Sequence, residues 1–138
     1  MLDNNIRRQI LSLINKEVVP AVGCTEPMAV SLCTARAKEI LNVIPEKITV
    51  LLSANILKNA MGVGIPGTDM IGLPIAIALG AIIGKSQYQL EVIKDLSPES
   101  LEKGKNMYVK SHMLTLHMAG TYLTEKYFCH YGSLSLVP

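Results

Sequence analysis

The sequence predicts a single α/β domain in which helices pack on a small mixed or parallel sheet around a buried apolar helix. Three observations carry that expectation. Residues 3–17 and 27–41 repeat apolar side chains at helical spacing, and Ile48-Thr49-Val50-Leu51-Leu52 is a short run rich in β-branched residues. Residues 70–84 are almost wholly apolar, with no polar face to turn toward water. Strands separated by helices favour parallel or mixed pairing. At 138 residues, 49% hydrophobic and 17% charged, the chain can bury a real core as one domain.

The first helix is expected over residues 3–17. Asp3 can cap it, and Ile6, Ile10, Leu13 and Ile14 form a stripe from which Arg7, Arg8 and Lys16 are excluded. Pro20 ends it. The second helix is expected from about Pro27 to Leu41, with Ala29, Leu32, Cys33, Arg36, Ala37 and Ile40 along one stripe. After Pro45, the β-branched run reads as a buried strand. The apolar stretch 70–84 is too short to span a bilayer, which takes ~20 apolar residues, and contains Pro74 and three glycines. It reads instead as a central helix buried on all sides. Residues 88–95 alternate plausibly as a second strand, with Leu90 and Val92 on one face. Ser97 and Pro98 then provide the cap and first position of a charged surface helix running to about residue 110.

Aromatic residues make up 4% of the chain and there is no Trp, so an aromatic base-stacking surface is not expected. The net charge of +2 is spread along the sequence and gives no phosphate-tracking stripe. The N-terminus lacks the apolar core of a signal peptide, which predicts a cytoplasmic, reducing setting and no membrane partner. The three cysteines, Cys24, Cys33 and Cys129, are odd in number and irregularly spaced, which argues against a disulfide framework. His112 and His117 are five residues apart, on opposite faces of a strand and about 140° apart on a helix, so they do not form a metal pair.

Two stretches concentrate the residues that could carry chemistry. In Gly23-Cys24-Thr25-Glu26-Pro27, a turn-forming glycine and a proline suited to a helix start place Cys24 at a helix N-terminus. Unpaired amides and the positive end of the helix dipole there favour a thiolate, so Cys24 is expected to be the most reactive thiol. Cys33 lies two and a half turns further on and reads as packing. The second stretch runs from Ser53, Asn55, Lys58 and Asn59 into the loop Gly62-Val63-Gly64-Ile65-Pro66-Gly67-Thr68. A cation, amides and bare backbone N–H groups side by side suit a small zwitterionic substrate. The loop lacks the Gly-Lys-Ser/Thr ending of a P-loop and the spacing of a dinucleotide fingerprint.

These motifs, with Gly72-Leu73-Pro74-Ile75-Ala76 and Leu79-Gly80, resemble the L-cysteine desulfidase family, which is related to the catalytic alpha chain of iron–sulfur L-serine dehydratases. The resemblance covers residues 5–110 and implies the N-terminal part of the serine dehydratase alpha-chain-like fold. It implies β-elimination of L-cysteine to pyruvate, ammonia and hydrogen sulfide, with a [4Fe-4S] cluster as the Lewis acid. Cys24 inherits the position of one cluster ligand. Lys58 and Ser53 become the catalytic candidates, and Asn55, Asn59, Gly64, Gly67 and Thr68 the substrate-binding ones.

The family's chains are several-fold longer, and their remaining cluster cysteines resemble positions in a C-terminal half. The resemblance therefore implies that residues 1–110 are the N-terminal part of such a domain, followed by an unaligned tail, 111–138. It also implies that this chain does not hold the cluster alone. Three alternatives stand beside the desulfidase: an L-serine dehydratase-type ammonia-lyase, a pyridoxal-phosphate lyase with Lys58 as the Schiff base, and a non-catalytic partner module. Because residues 70–84 need cover on every side, self-association or a missing C-terminal half is expected to supply it.

Overall fold

The computed structural model describes residues 3–109 in full and, beyond them, the backbones of three strands, 114–118, 126–130 and 133–137. The elements in order are α1 (Asn4–Glu17), α2 (Thr25–Leu41), β1 (Lys47–Leu52), α3 (Ala54–Ala60), β2 (Gly64–Ile65), β3 (Met70–Ile71) and α4 (Leu73–Ile82). A 3₁₀ segment (Ser86–Glu91), α5 (Pro98–Val109), β4 (Leu114–Met118), β5 (Lys126–His130) and β6 (Ser133–Val137) follow. The class is α/β, as expected, and the larger sheet is mixed. Its order is β4-β1-β6-β5, with β1 parallel to β4 and β6, and β5 antiparallel to β6.

Strand β1 alternates as a half-buried strand should: Ile48, Val50 and Leu52 are buried, and Lys47, Thr49 and Leu51 are not. Its buried face meets Val30 and Ala37 of α2 and Leu73, Ile77 and Ala81 of α4. The opposite side of α4, Ile75, Ala76 and Leu79, packs with Met28 and Ala35 of α2, Ile65, Val92 and Ile93. Helix α4 thus lies between two apolar layers, and its exposed-surface problem is solved within the chain.

The middle of α2 runs close against α4. A Cβ on Gly80 would lie 2.4 Å from the Ser31 carbonyl oxygen, and one on Gly84 would lie 2.5 Å from Ala35 Cβ. Such closeness requires small residues, which explains why α2 carries Ser31, Thr34 and Ala35 where it crosses α4. The predicted stripe through Ala29, Arg36 and Ile40 is incorrect, because all three are exposed. The hydroxyl of buried Thr34 donates to Val30 O at 3.0 Å, so burying it leaves that donor satisfied.

Three further boundaries differ from expectation. The polar stretch after β1 is helical, α3, because Ser53 caps it and accepts a hydrogen bond from the Ile56 N–H at 3.3 Å. The apolar helix begins only at Leu73, since Gly72 has φ +87° and Met70–Ile71 pairs with Gly64–Ile65 in a small antiparallel ribbon. Residues 88–95 do not form a strand. Val92 and Ile93 are buried consecutively, which breaks strand alternation, and local bonds such as Lys94 N–H to Glu91 O (2.8 Å) satisfy the backbone in turns. Gln89 sits at φ +53°, ψ −129° and kinks the 3₁₀ segment Ser86–Glu91 that overlaps the start of this stretch. The expectations for Cys129, His112 and His117 concern side chains outside the described residues.

Candidate functional site

The N-terminus of α2 is placed by a turn that only glycine accommodates. Gly23 has φ +78°, and a Cβ there would lie 2.7 Å from Pro66 Cγ. The Gly-Cys-Thr-Glu-Pro segment therefore lies directly against the loop 62–68, although about forty residues separate them in sequence. The Val22 N–H donates to Leu90 O at 3.1 Å and fixes the approach to the turn. Cys24 is the N-cap residue of α2, with extended backbone and a half-buried side chain.

The group around which the polar side chains gather is Glu26. Its Oε2 accepts from Cys24 Sγ at 3.0 Å and from Thr25 Oγ1 at 3.1 Å, and its Oε1 accepts from Asn59 Nδ2 at 3.4 Å. Asn59 comes from the last turn of α3, so the contact ties the two predicted stretches together. Cys24 does sit at a helix N-terminus, yet its thiol is pushed up, chiefly because its S–H is held by the Glu26 carboxylate. That bond requires the proton to stay on sulfur, and this outweighs the local amides. The expectation of a depressed thiol is corrected accordingly. Glu26 moves the opposite way. The Cys24 hydrogen bond, its own backbone N–H, and donation from Thr25 and Asn59 hold its carboxyl below the ordinary range. The pair at neutral pH is a neutral thiol donating to a carboxylate.

The remaining predicted residues fall into three groups. Asn55 and Lys58 are exposed on α3, with Asn55 one turn before Asn59 on the same face. Ser53 and Thr68 are engaged in the fold. Ser53 caps α3, while Thr68 is buried, donates to Ile65 O at 2.7 Å and accepts from Met70 N–H at 3.0 Å. Gly64 is exposed within β2, and Gly67 turns the loop at φ +75°. An open groove of about 450 Å³ lies on the far flank of this loop, lined by Val22, Pro66, Gly67, Lys94 and the Ser97-Pro98 start of α5. Gly67 borders it, whereas Cys24, Lys58 and Asn59 do not.

Sequence reasoning singled out the motif containing Glu26 without giving that residue a role. The signal was present: an acid two positions after an N-cap cysteine, in the first helical turn, is within reach of the thiol and favoured by the helix dipole.

Among the described residues, no three His, Cys, Asp or Glu side chains come together to hold a metal ion. A [4Fe-4S] cluster takes about four cysteine thiolates. Cys24 offers one, and Cys33 is half-buried two and a half turns along α2, packed against the core. The described residues alone therefore do not supply the ligand set of such a cluster. No helix among them is long and apolar enough to cross a membrane.

No protein-family model matches the chain. No solved structure matches it either. It is 72% identical over 99 residues to a UPF0597 protein of Bacteroides thetaiotaomicron, a match that covers 72% of this chain and 23% of that protein. It is 66% identical over 109 residues to a UPF0597 protein of Parabacteroides distasonis, covering 79% and 25%. A UPF0597 protein of Photobacterium profundum is 51% identical over 104 residues, covering 75% and 24%. The chain thus spans about a quarter of the length of the curated relatives it matches.

Proposed function

We propose that this chain is the N-terminal portion of an amino-acid lyase of the L-cysteine desulfidase type. In the assembled protein the reaction would be β-elimination of L-cysteine to pyruvate, ammonia and hydrogen sulfide. The observation that carries the reading is the meeting of the two motif stretches: Cys24, Thr25 and Glu26 at the start of α2, Asn59 of α3, and the loop 62–68 packed against Gly23.

The chain's own residues would divide the work as follows. Glu26 holds the proton of Cys24 and is itself oriented by Asn59 and Thr25. Lys58 and Asn55, both exposed beside Asn59, are free to face a carboxylate, with the lysine as the cation that such a group prefers. Lys58 is also the better-placed of the two catalytic candidates, since the Ser53 hydroxyl is occupied in capping α3. Gly64 and Gly67 keep the loop backbone bare.

The reading is tested by co-expressing the chain with the remaining three quarters of the Bacteroides thetaiotaomicron relative, under anaerobic conditions with iron and sulfide supplied. Sulfide and pyruvate release from L-cysteine is the expected result, abolished by Cys24→Ser and reduced by Lys58→Ala. Turnover of L-serine in place of L-cysteine would select the ammonia-lyase. No turnover of either, from a soluble complex, would sink both.

A further inference from the structure

Helix α1 is amphipathic and, among the described residues, has no closely packed partner. Ile6, Ile10, Leu13 and Ile14 follow the spacing of a helix that packs, yet they are 47%, 41%, 59% and 47% exposed, and no residue of α1 is buried. It is absent from the closely packed pairs of elements in the described fold. Its start is nevertheless specified, because Asp3 accepts from the Asn5 N–H at 2.6 Å. A fourteen-residue helix in water is marginal without tertiary contact, so a sequence that caps it and gives it a clean stripe has been shaped for a partner.

We infer that this stripe is the docking face for the polypeptide that makes up the other three quarters of the relatives' length. Two facts select that occupant. The chain spans 23 to 25% of the relatives it matches at 66 to 72% identity, so most of the surface such a fold could pack against lies in the part not represented here. A second copy of the chain is the weaker choice on area. Four aliphatic side chains hide about 100 Å² each, whereas a stable pair of proteins buries about 800 Å² per partner. A larger polypeptide can wrap the helix and reach the ends of the stripe, where Val18 and Val19 are also exposed.

The inference does not depend on the lyase chemistry, because association is read without substrate, iron or turnover. The full 138-residue chain is co-expressed with the portion of the Bacteroides thetaiotaomicron relative outside the matched segment, and affinity is measured on the purified pair. Ile10→Asp with Leu13→Asp should weaken the complex on the order of 100-fold, as expected for buried anchors at the centre of an interface. The same double variant should leave the chain's own melting temperature unchanged. Amide exchange within residues 4–17 should be fast in the chain alone and slow in the complex. Association unaffected by the double variant would overturn the proposal, as would slow exchange in the chain alone. A concentration-dependent homodimer abolished by the same substitutions would assign the stripe to a second copy and overturn it equally.

Discussion

Helices α1 and α4 are both rich in aliphatic side chains, yet eight of the ten residues of α4 are buried and none of the fourteen in α1 is. The difference lies in what surrounds them. Helix α4 is apolar all round and is covered by β1, α2, α5 and the 92–93 turn, with glycines where the backbone of α2 comes closest. Helix α1 has a narrow stripe and charged flanks, and no described element comes over it. An apolar pattern states that a face must be covered, but only the rest of the polypeptide determines whether it is.

The largest test of this contrast is a pair of truncations. Leu79→Ala, in the centre of α4, should cost about 2–5 kcal/mol in urea unfolding, the usual range for a buried leucine. Leu13→Ala should change stability by no more than about 0.5 kcal/mol. An equal cost at both positions would mean that α1 is packed in solution. Next comes the close approach of α2 and α4. Gly80→Ala drives a Cβ to 2.4 Å from Ser31 O and should destabilise by about 1–3 kcal/mol. Gly64→Ala, with nothing within 4 Å of its Cβ, is the control and should be close to neutral. Thr68→Val should cost about 1–2 kcal/mol, because the Met70 N–H loses its acceptor and the Ile65 carbonyl loses a donor inside the loop.

The smallest effect is electrostatic. Partial burial raises the carboxyl of Glu39, but the Ser86 hydroxyl and backbone N–H, together with Arg36, more than offset this and leave it below its ordinary value. The folded form thus releases this proton more readily than the unfolded form. The linked stability is fully present above about pH 4.5 and is lost as pH falls through the lowered folded value. Glu39→Gln should flatten part of the acid limb of a stability–pH profile. An unchanged limb would show that the Ser86 contact does not hold in solution.

Much of the fold was legible because its signals are local. Asp3 and Ser97 each precede a helix, and β1 alternates as its β-branched residues suggest. The buried face of α2 was not, because Ser31, Thr34 and Ala35 are selected by size at a crossing about fifty residues away in sequence, and hydropathy points to Ile40 instead. The 88–95 segment mimicked a strand because its apolar residues are spaced by two, while its burial is decided by turns around Gln89. In the site, the glycine turn and the helix start at Cys24 could be read directly. The state of its thiol could not, because the dipole and the Glu26 carboxylate act in opposite directions, and only their 3.0 Å separation shows which prevails.

The position of β1 between β4 and β6 also fixes the order in which the molecule can be completed. Both of its neighbours are encoded far downstream, with Ile48 opposite Leu114 on one side and Leu134 on the other. A ribosome adds roughly 5–20 residues per second, so the Ile48–Leu52 run waits for several seconds with both hydrogen-bonding edges open. Such a strand is a template for pairing with any neighbouring nascent chain. The central strand of the finished sheet is therefore the segment that a chaperone has most reason to shelter during synthesis.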